Sequence, residues 1–297
     1  MSLDSLLKEG RIQRDVPTHE WTTYKKGGPA TYVFDAESAD DIADLVPVAI
    51  PVLVIGKGSN LVVADAGFDG LVVRLGGSFN LVSVDDDGTV TAGAAVGLPL
   101  VARTAAKAGL GGLEWMVGVP GTVGGAIRMN AGCFGHDTAD CLVTARICNL
   151  SSGSWRNAGP TDLAMSYRHT NLVSADLVTQ AVFATVPADP EEMEATMRSI
   201  TRWRREHQPG GTYNAGSVFK NPPGDAAGRL IDELGLKGTT VGGASVSAKH
   251  ANFFVADAEA SAQDIYDLMV LVRRSVAEQT GIRLEPEIRF VGFEARM

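Results

Sequence analysis

The sequence predicts an α+β protein with two domains, at residues 1–189 and 190–297. Glycine accounts for 34 of the 297 residues and is bunched in the first part, where it separates short apolar segments typical of strands. After Ala188-Asp189-Pro190, apolar residues recur at intervals of three and four, which is typical of amphipathic helices. Both parts are long enough to form a core of their own.

Apolar spacing and cap residues predict the elements of the first domain. Ser38 is typical of a helix N-cap and Pro47 ends that helix, while a second helix is predicted between Pro99 and Gly109. Short or alternating apolar runs predict strands at residues 31–35, 52–55, 61–64, 71–75, 89–92, 143–150 and 178–185.

Helices dominate the predicted second domain. Residues 191–206 and 226–234 each carry one apolar stripe. Ser261 is the predicted N-cap of a longer helix, in which apolar residues recur at helical spacing from Ile265 to Val276. A final strand is predicted at residues 283–290.

Composition and charge limit the classes of function. Apolar residues make up 45% of the chain and charged residues 21%, as in globular proteins. The net charge of -9 argues against a surface that coats nucleic acid, and no apolar run approaches the ~20 residues of a membrane span. The three cysteines show no paired spacing, which disfavours a disulfide framework or a zinc site. Since a secretory leader pattern is also lacking, we expect a cytoplasmic monomer without a metal, nucleic-acid or membrane partner.

Two glycine-rich loops are candidates for holding a cofactor that contains phosphate. Gly56-Lys57-Gly58-Ser59-Asn60 follows an apolar strand and can direct successive N–H groups into one concavity, although a plain turn between strands is about equally consistent. The stretch Gly118-Val119-Pro120-Gly121-Thr122-Val123-Gly124-Gly125-Ala126 favours a ligand close to the backbone, with a glycine-packed crossing of two segments as the alternative. Neither loop has the spacing of a Walker or Rossmann fingerprint.

With Thr22-Thr23-Tyr24-Lys25-Lys26-Gly27-Gly28-Pro29-Ala30 and Met129-Asn130-Ala131-Gly132, these loops resemble the UDP-N-acetylenolpyruvoylglucosamine reductases in their shorter, type II form. The resemblance follows the same order along nearly the whole chain. It implies a two-part FAD-binding domain of the vanillyl-alcohol oxidase/PCMH type in residues 1–189 and a smaller α/β substrate-binding domain in residues 190–297. It also implies non-covalent FAD, with NADPH as the reductant. The residues that it assigns to the cofactor are Gly56, Lys57, Gly58, Ser59, Asn60, Leu61, Gly118, Pro120, Gly121, Thr122, Gly124, Gly125, Asn130 and Ala131.

The same resemblance implies three catalytic residues. A hydride added to an enolpyruvyl double bond leaves negative charge beside its carboxylate, which an arginine can stabilise, and a positioned hydroxyl can protonate the remaining carbon. The family pattern gives these roles to Arg168 and Ser217, with Glu287 assisting. Flavin N5 would pass hydride to C3, and Ser217 would protonate C2. The implied reaction turns UDP-N-acetyl-3-O-(1-carboxyvinyl)glucosamine into UDP-N-acetylmuramate, a peptidoglycan precursor needed for cell-wall biogenesis, cell shape and division.

Substrate contacts are implied for four further residues, although a role in stabilising the fold is nearly as consistent with each of them: Tyr167, Lys220, Asn221 and Lys249. The chain departs from the common family pattern at a second set of positions, which bears on the orientation of Arg168 and on nucleotide binding: His169, Thr170, His207 and Ser245.

Three rival functions stay open. A related flavoprotein oxidase could attach FAD covalently through Cys133 or His136, although such an enzyme has no use for the three predicted catalytic residues. A binding protein without catalysis is disfavoured by the retention of those residues. A dehydrogenase without flavin would need a fingerprint that the sequence lacks.

Overall fold

The computed structural model describes residues 3–211 and 213–294, and its mixture of helices and strands confirms the predicted α+β class. Within these ranges, none of the helices combines the length and the apolar composition that crossing a bilayer requires. The helices are α1 (Leu3–Lys8), α2 (Ala39–Leu45), α3 (Leu98–Lys107), α4 (Val123–Met129), α5 (Thr138–Cys141), α6 (Pro190–His207), α7 (Ala227–Glu233) and α8 (Ala262–Thr280), with short 3-10 helices at His19–Trp21, Gly77–Asn80 and Glu114–Gly118. The strands are β1 (Ile12–Pro17), β2 (Pro29–Ala36), β3 (Val52–Val54), β4 (Leu61–Val63), β5 (Phe68–Leu75), β6 (Val82–Val84), β7 (Val90–Gly93), β8 (Leu110–Gly111), β9 (Gly132–Cys133), β10 (His136–Asp137), β11 (Leu142–Asn149), β12 (Trp155–Ala158), β13 (Asp176–Phe183), β14 (Val186–Pro187), β15 (Thr240–Val241), β16 (Ala244–Val246), β17 (Phe254–Ala256) and β18 (Arg289–Val291).

The chain divides into two compact units, each assembled from three chain segments. The first unit comprises the chain up to residue 14 and residues 32–56 and 70–204, and the second comprises the remaining segments. Three of the boundaries fall inside β1, β2 and β5, so these strands carry the chain from one unit into the other. The division of the sequence after residue 189 stays a prediction, since the spatial units follow a different partition of the chain.

The first unit contains a five-stranded antiparallel sheet in the order β12-β11-β13-β7-β6. Its main core joins this sheet to the apolar faces of α3 and α4, through residues such as Val101, Ala105 and Ile127. Met193 and Met197 of α6 belong to the same core. A second cluster of this unit joins apolar residues of α2, β2 and β5.

The second unit contains the antiparallel sheet β15-β16-β17 and the parallel pair β4 and β18. The predicted stripe of α8, from Ile265 to Val276, is buried in its core with apolar residues of α7. Tyr24 is fully buried in the same core, and its hydroxyl donates a hydrogen bond to the Phe254 carbonyl at 3.0 Å. This bond fastens an N-terminal segment of the chain to β17.

The predicted terminal strand is shorter than expected. It was predicted at residues 283–290, whereas β18 begins only at Arg289. Pro286 has no N–H to donate to a ladder, and the residues around it form only an isolated bridge with Phe219. Glu287 therefore lies in the irregular segment that precedes β18 and not in the strand itself.

A capping box fixes the start of α8 and generates a stability prediction. The Asp264 N–H donates to Ser261 Oγ at 3.0 Å, and the Ser261 N–H donates to the Asp264 carboxylate at 2.9 Å. We expect Ser261→Ala to lower the free energy of unfolding by about 1 kcal/mol, because the N-cap acceptor is lost. Urea unfolding followed by circular dichroism measures this loss. Ser151→Ala, at an exposed turn serine, is the control, and equal losses in both variants would contradict the prediction.

Candidate active site

The predicted catalytic residues Ser217 and Glu287 lie on neighbouring backbone segments of the second unit. The Glu287 N–H donates to the Val218 carbonyl at 2.8 Å, and the Lys220 N–H donates to the Glu285 carbonyl at 2.9 Å. Phe219 and Pro286 form a bridge between these two hydrogen bonds. The structure thus brings together two residues that are 70 positions apart in the sequence (287 minus 217).

Ser217 follows a tight turn and precedes two buried anchors. Gly216 has a φ of +78°, a backbone conformation that favours glycine, and its N–H donates to Asn214 Oδ1 at 3.2 Å. Val218 and Phe219 are 0% and 1% exposed, whereas Ser217 is half-buried. The turn and the anchors therefore present the hydroxyl of Ser217 at the edge of the core.

The first glycine-rich loop is joined to the Glu287 segment. Asn60 Nδ2 donates to the Glu287 carbonyl at 3.0 Å, and the Asn60 carbonyl accepts from the Arg289 N–H at 3.1 Å. Leu61, the last predicted cofactor residue of this loop, begins β4 and pairs with Arg289. One predicted cofactor loop and two predicted catalytic residues thus share one backbone network of the second unit.

The N–H groups of this loop suit a phosphate ligand. Gly58 is buried and has a φ of +57°, and a Cβ at this position would lie 2.0 Å from the Trp21 carbonyl oxygen. Among the described residues, the N–H groups of Lys57, Gly58 and Ser59 donate to no acceptor. Of the three residues only Gly58 is buried, and because a buried N–H normally has a partner, its N–H fits an anionic group of a bound cofactor.

Glycines of the second loop have two different surroundings. A Cβ at Gly118 would lie 2.8 Å from Cys133 Sγ, and one at Gly56 of the first loop would lie 2.4 Å from Thr122 Oγ1, so close packing accounts for both glycines without a ligand. A Cβ at Gly124 would lie 3.1 Å from the Ala94 side chain. At Gly125 the nearest atom is Thr122 Oγ1 at 3.6 Å, so packing does not require glycine there. Close packing within the protein therefore does not explain the glycine at position 125.

The loop's remaining predicted cofactor residues are held by local hydrogen bonds. Gly121 directly follows Pro120, and its carbonyl accepts a hydrogen bond from the Leu98 N–H at 3.1 Å. Thr122 is the N-cap of α4, and its side chain accepts from the Gly125 N–H. Gly56 packs against Thr122, so these two predicted cofactor residues are neighbours within the first unit.

Arg168, the third predicted catalytic residue, belongs to the first unit and sits in a strained turn. Ser166 and His169 exchange backbone hydrogen bonds of 3.1 and 3.0 Å, which leaves Tyr167 and Arg168 at the tip. Arg168 has a φ of +52°, a conformation that costs a non-glycine residue about 1 kcal/mol or more. Its guanidinium donates to the carbonyls of Asn130 at 3.3 Å and Gly132 at 2.7 Å. Tyr167 is 51% exposed, and its ring centroid lies 5.3 Å from the Arg168 guanidinium carbon.

Asn130, a predicted cofactor residue, uses its side chain inside the protein. Nδ2 donates to Asp137 Oδ2 and to the Ser166 carbonyl, each at 3.0 Å, and Oδ1 accepts from the Ala139 N–H at 2.9 Å. Its neighbour Ala131 donates its N–H to the Ala126 carbonyl and closes the end of α4. The buried amide of Asn130 therefore supports the turn that carries Arg168.

The predicted substrate residues also have protein partners. Lys220 Nζ lies 2.7 Å from Glu285 Oε1 and its side chain is 18% exposed. Asn221 Oδ1 accepts from the Ala227 N–H, the first residue of α7, at 3.1 Å. Lys249 Nζ donates to the Arg205 carbonyl at 2.6 Å. Their contacts with a substrate stay predictions.

Cys133 and His136, the two residues considered for covalent attachment of FAD, have different surroundings. Burial raises the pKa of the Cys133 thiol to about 11, and its Sγ donates to the Trp115 carbonyl at 3.2 Å. A protonated thiol is a poor nucleophile. His136 is exposed and lies 3.9 Å from the Asp140 carboxylate. In the described part of the chain, no group of three or more His, Cys, Asp and Glu side chains is arranged to hold a metal ion.

Sequence reasoning missed Asn252. Its side chain is 3% exposed, with Oδ1 accepting from the Phe219 N–H at 2.9 Å and Nδ2 donating to the Phe219 carbonyl at 2.8 Å. The residue stands in the stretch Lys249-His250-Ala251-Asn252-Phe253, which matches the C-terminal signature of the family that the sequence resembles, and this match was the available signal. His250 also belongs to this network, because the Asn252 N–H donates to its Nδ1 at 3.2 Å.

Comparisons with known proteins agree on one family. Residues 30–159 match a model described as FAD binding domain, and residues 208–291 match the UDP-N-acetylenolpyruvoylglucosamine reductase C-terminal domain. UDP-N-acetylenolpyruvoylglucosamine reductase 2 of Symbiobacterium thermophilum is 43% identical over 98% of this chain and 96% of its own. The reductase of Caulobacter vibrioides is 41% identical over 95% of both chains. The crystal structure of UDP-N-acetylenolpyruvylglucosamine reductase (MurB) from Thermus caldophilus is 37% identical, with a TM-score of 0.83, covering 95% of this chain and 99% of that one.

The half-buried His250 generates a pH prediction. Burial lowers its pKa below the ordinary 6.5, so the folded protein binds a proton there at lower pH than the unfolded chain does. The stability that its neutral ring contributes is complete above pH 6.5 and is lost as the pH falls through the lower pKa of the folded state. We expect His250→Gln to reduce the fall in Tm between neutral pH and about pH 5. His136→Gln, at an exposed ring, is the control; the same acid-induced fall in the parent and in His250→Gln would contradict the prediction.

Proposed function

The chain belongs to the UDP-N-acetylenolpyruvoylglucosamine reductase family, and we propose that it reduces UDP-N-acetyl-3-O-(1-carboxyvinyl)glucosamine to UDP-N-acetylmuramate. NADPH is the reductant and FAD, bound without a covalent link, is the carrier. The observation that carries this proposal is the backbone pairing that holds Ser217 beside the Glu287 segment and joins both to the Asn60 loop. Proton donation and cofactor binding are thereby supported by one network of the second unit.

The two glycine-rich loops have the hydrogen-bond donors and the open space that binding of FAD requires. When bound, FAD supplies the transfer of hydride from NADPH to the double bond of the substrate. The N–H donors of Lys57, Gly58 and Ser59 suit its diphosphate, and the open space at Gly125 suits a group lying against the backbone. The protonated thiol of Cys133 and its hydrogen bond to Trp115 support a non-covalent site.

The residues of the chain complete the reaction at the substrate. The Ser217 hydroxyl donates a proton to C2 after hydride has reached C3, and the carboxyl group of Glu287 shares the electrophilic stabilisation of the developing charge. Arg168 binds the substrate carboxylate and stabilises the charge that develops beside it. Its strained turn at φ +52° supports this role, because local strain is retained where a side chain must be held in a specific direction.

The UDP-sugar is held by side chains that also have protein partners. Tyr167 offers an exposed ring beside Arg168, and Lys220 and Lys249 supply positive charge for the diphosphate in a chain of net charge -9. Asn221 supplies an amide next to the Lys220 segment. In this scheme residues 1–189 supply the cofactor site together with Tyr167 and Arg168, and residues 190–297 supply the other substrate-binding residues.

The cellular setting follows from the product. UDP-N-acetylmuramate is a precursor of peptidoglycan, so the enzyme supports cell-wall biogenesis, cell shape and cell division. We propose that it works in the cytoplasm as a monomer and without a nucleic-acid or membrane partner.

Separate measurement of the two half-reactions tests this function. Purified protein should carry flavin whose visible absorbance is bleached by NADPH without oxygen and is restored by the enolpyruvyl sugar. Ser217→Ala should keep the bleaching but slow the restoration by about 100-fold or more, because the proton donor is lost. Arg168→Ala should impair restoration more than bleaching. If the parent is restored by air but not by the sugar, the proposed substrate is wrong.

The surroundings of Gly125 generate a test of the cofactor site. A methyl group fits there without displacing a protein atom, and alanine stabilises a helix relative to glycine by about 0.5–1 kcal/mol. We therefore expect Gly125→Ala to fold with an unchanged or higher Tm as apoprotein and to bind FAD less tightly, as measured by flavin fluorescence quenching. Ala126→Gly, at a buried neighbour, is the control for local change in α4. Unchanged FAD affinity in Gly125→Ala would contradict the proposed approach of the cofactor.

A further inference from the structure

We propose that Asn252 is a positioning residue for proton transfer, which acts by fixing the backbone that carries Ser217. The proposal rests on the function proposed for Ser217. Asn252 is nearly fully buried, and its amide binds both backbone groups of one residue, Phe219. The Asn252 side chain therefore makes the two hydrogen bonds that the backbone of a neighbouring strand would otherwise make with Phe219.

The hydrogen bonds of residues 217–220 show why a substitute is needed. On one edge, the Val218 carbonyl and the Lys220 N–H bind the segment that contains Glu285 and Glu287. The two backbone groups of Phe219, which lies between them, bind the Asn252 side chain instead. Without this amide, a buried N–H and a buried carbonyl would lose their partners.

The backbone of Asn252 extends the same support to Ser217. The Asn252 carbonyl accepts from the Val218 N–H at 2.8 Å, and Ser217 forms a bridge with Phe253. The Asn252 N–H is held in turn by His250 Nδ1. Residues 217–219 are thus fixed on one side by Asn252 and Phe253 and on the other by Glu287, so a change in the Asn252 amide is transmitted to the Ser217 hydroxyl through two peptide units.

The test compares the two half-reactions in Asn252→Ala and in Asn252→Asp, which keeps the shape and the acceptor but cannot donate to the Phe219 carbonyl. Both variants should bind flavin and be reduced by NADPH at the parent rate, whereas restoration by the enolpyruvyl sugar should slow about 100-fold, the expected cost of a displacement of about 1 Å. Asn149→Ala is the control, because this asparagine likewise uses both ends of its amide, to bind the Asp176 side chain and two turn N–H groups, but lies in the sheet of the first unit. It should change Tm and leave the ratio of the two rates unchanged.

A double-mutant cycle separates positioning from structural damage. In the Ser217→Ala background, Asn252→Ala should slow restoration no further, because the group that it positions is gone. An additive loss in the double variant would overturn the proposal while leaving the proposed function intact. Normal restoration in Ser217→Ala alone would instead remove the role of Ser217. Failure of both Asn252 variants to yield folded, flavin-containing protein would also overturn the proposal, because the residue would then be required for folding.

Discussion

The hydrogen bonding of the Val218, Phe219 and Lys220 backbone, next to Ser217, is the constraint on which the candidate site depends. A reactive serine at the edge of a core needs backbone on both sides of it to be fixed, and an irregular segment cannot obtain this from a regular sheet. Here one edge is satisfied by Glu285 and Glu287, and the other by the amide and carbonyl of Asn252. Asn60 then attaches a cofactor loop to the same network.

In the first unit, a strained backbone turn fixes the direction of the predicted catalytic residue Arg168. Its turn holds Arg168 at a positive φ, and the cost is offset by bonds from the guanidinium to two carbonyls and by the buried amide of Asn130. A glycine at position 168 would relax this backbone and discard the guanidinium. Local stability and the proposed role of the side chain are therefore opposed at this residue, as is common at functional sites.

The regular elements were predictable because their signals are local. Ser38 and Ser261 cap helices as expected, and the stripe of α8 is buried as its spacing indicates. Long-range partners carry no such signal. The sequence suggested a ligand near Gly118, but only the fold reveals that Cys133 lies against it. The role of Asn252 leaves no local signal because its partner Phe219 lies 33 residues away. The terminal strand is shorter than its residue pattern predicts because Pro286 has no N–H to donate to a ladder.

The interleaving of the two units has a consequence for synthesis on the ribosome. Tyr24 and Val62 belong to a core whose other members lie beyond residue 205. When the first 204 residues have emerged from the ribosome, these two segments have no core to join. Their apolar side chains stay exposed to water until the residues beyond 205, almost the last third of the chain, have been made. The nascent chain therefore cannot complete the folding of its N-terminal half before the residues of the second unit that follow residue 205 have been made.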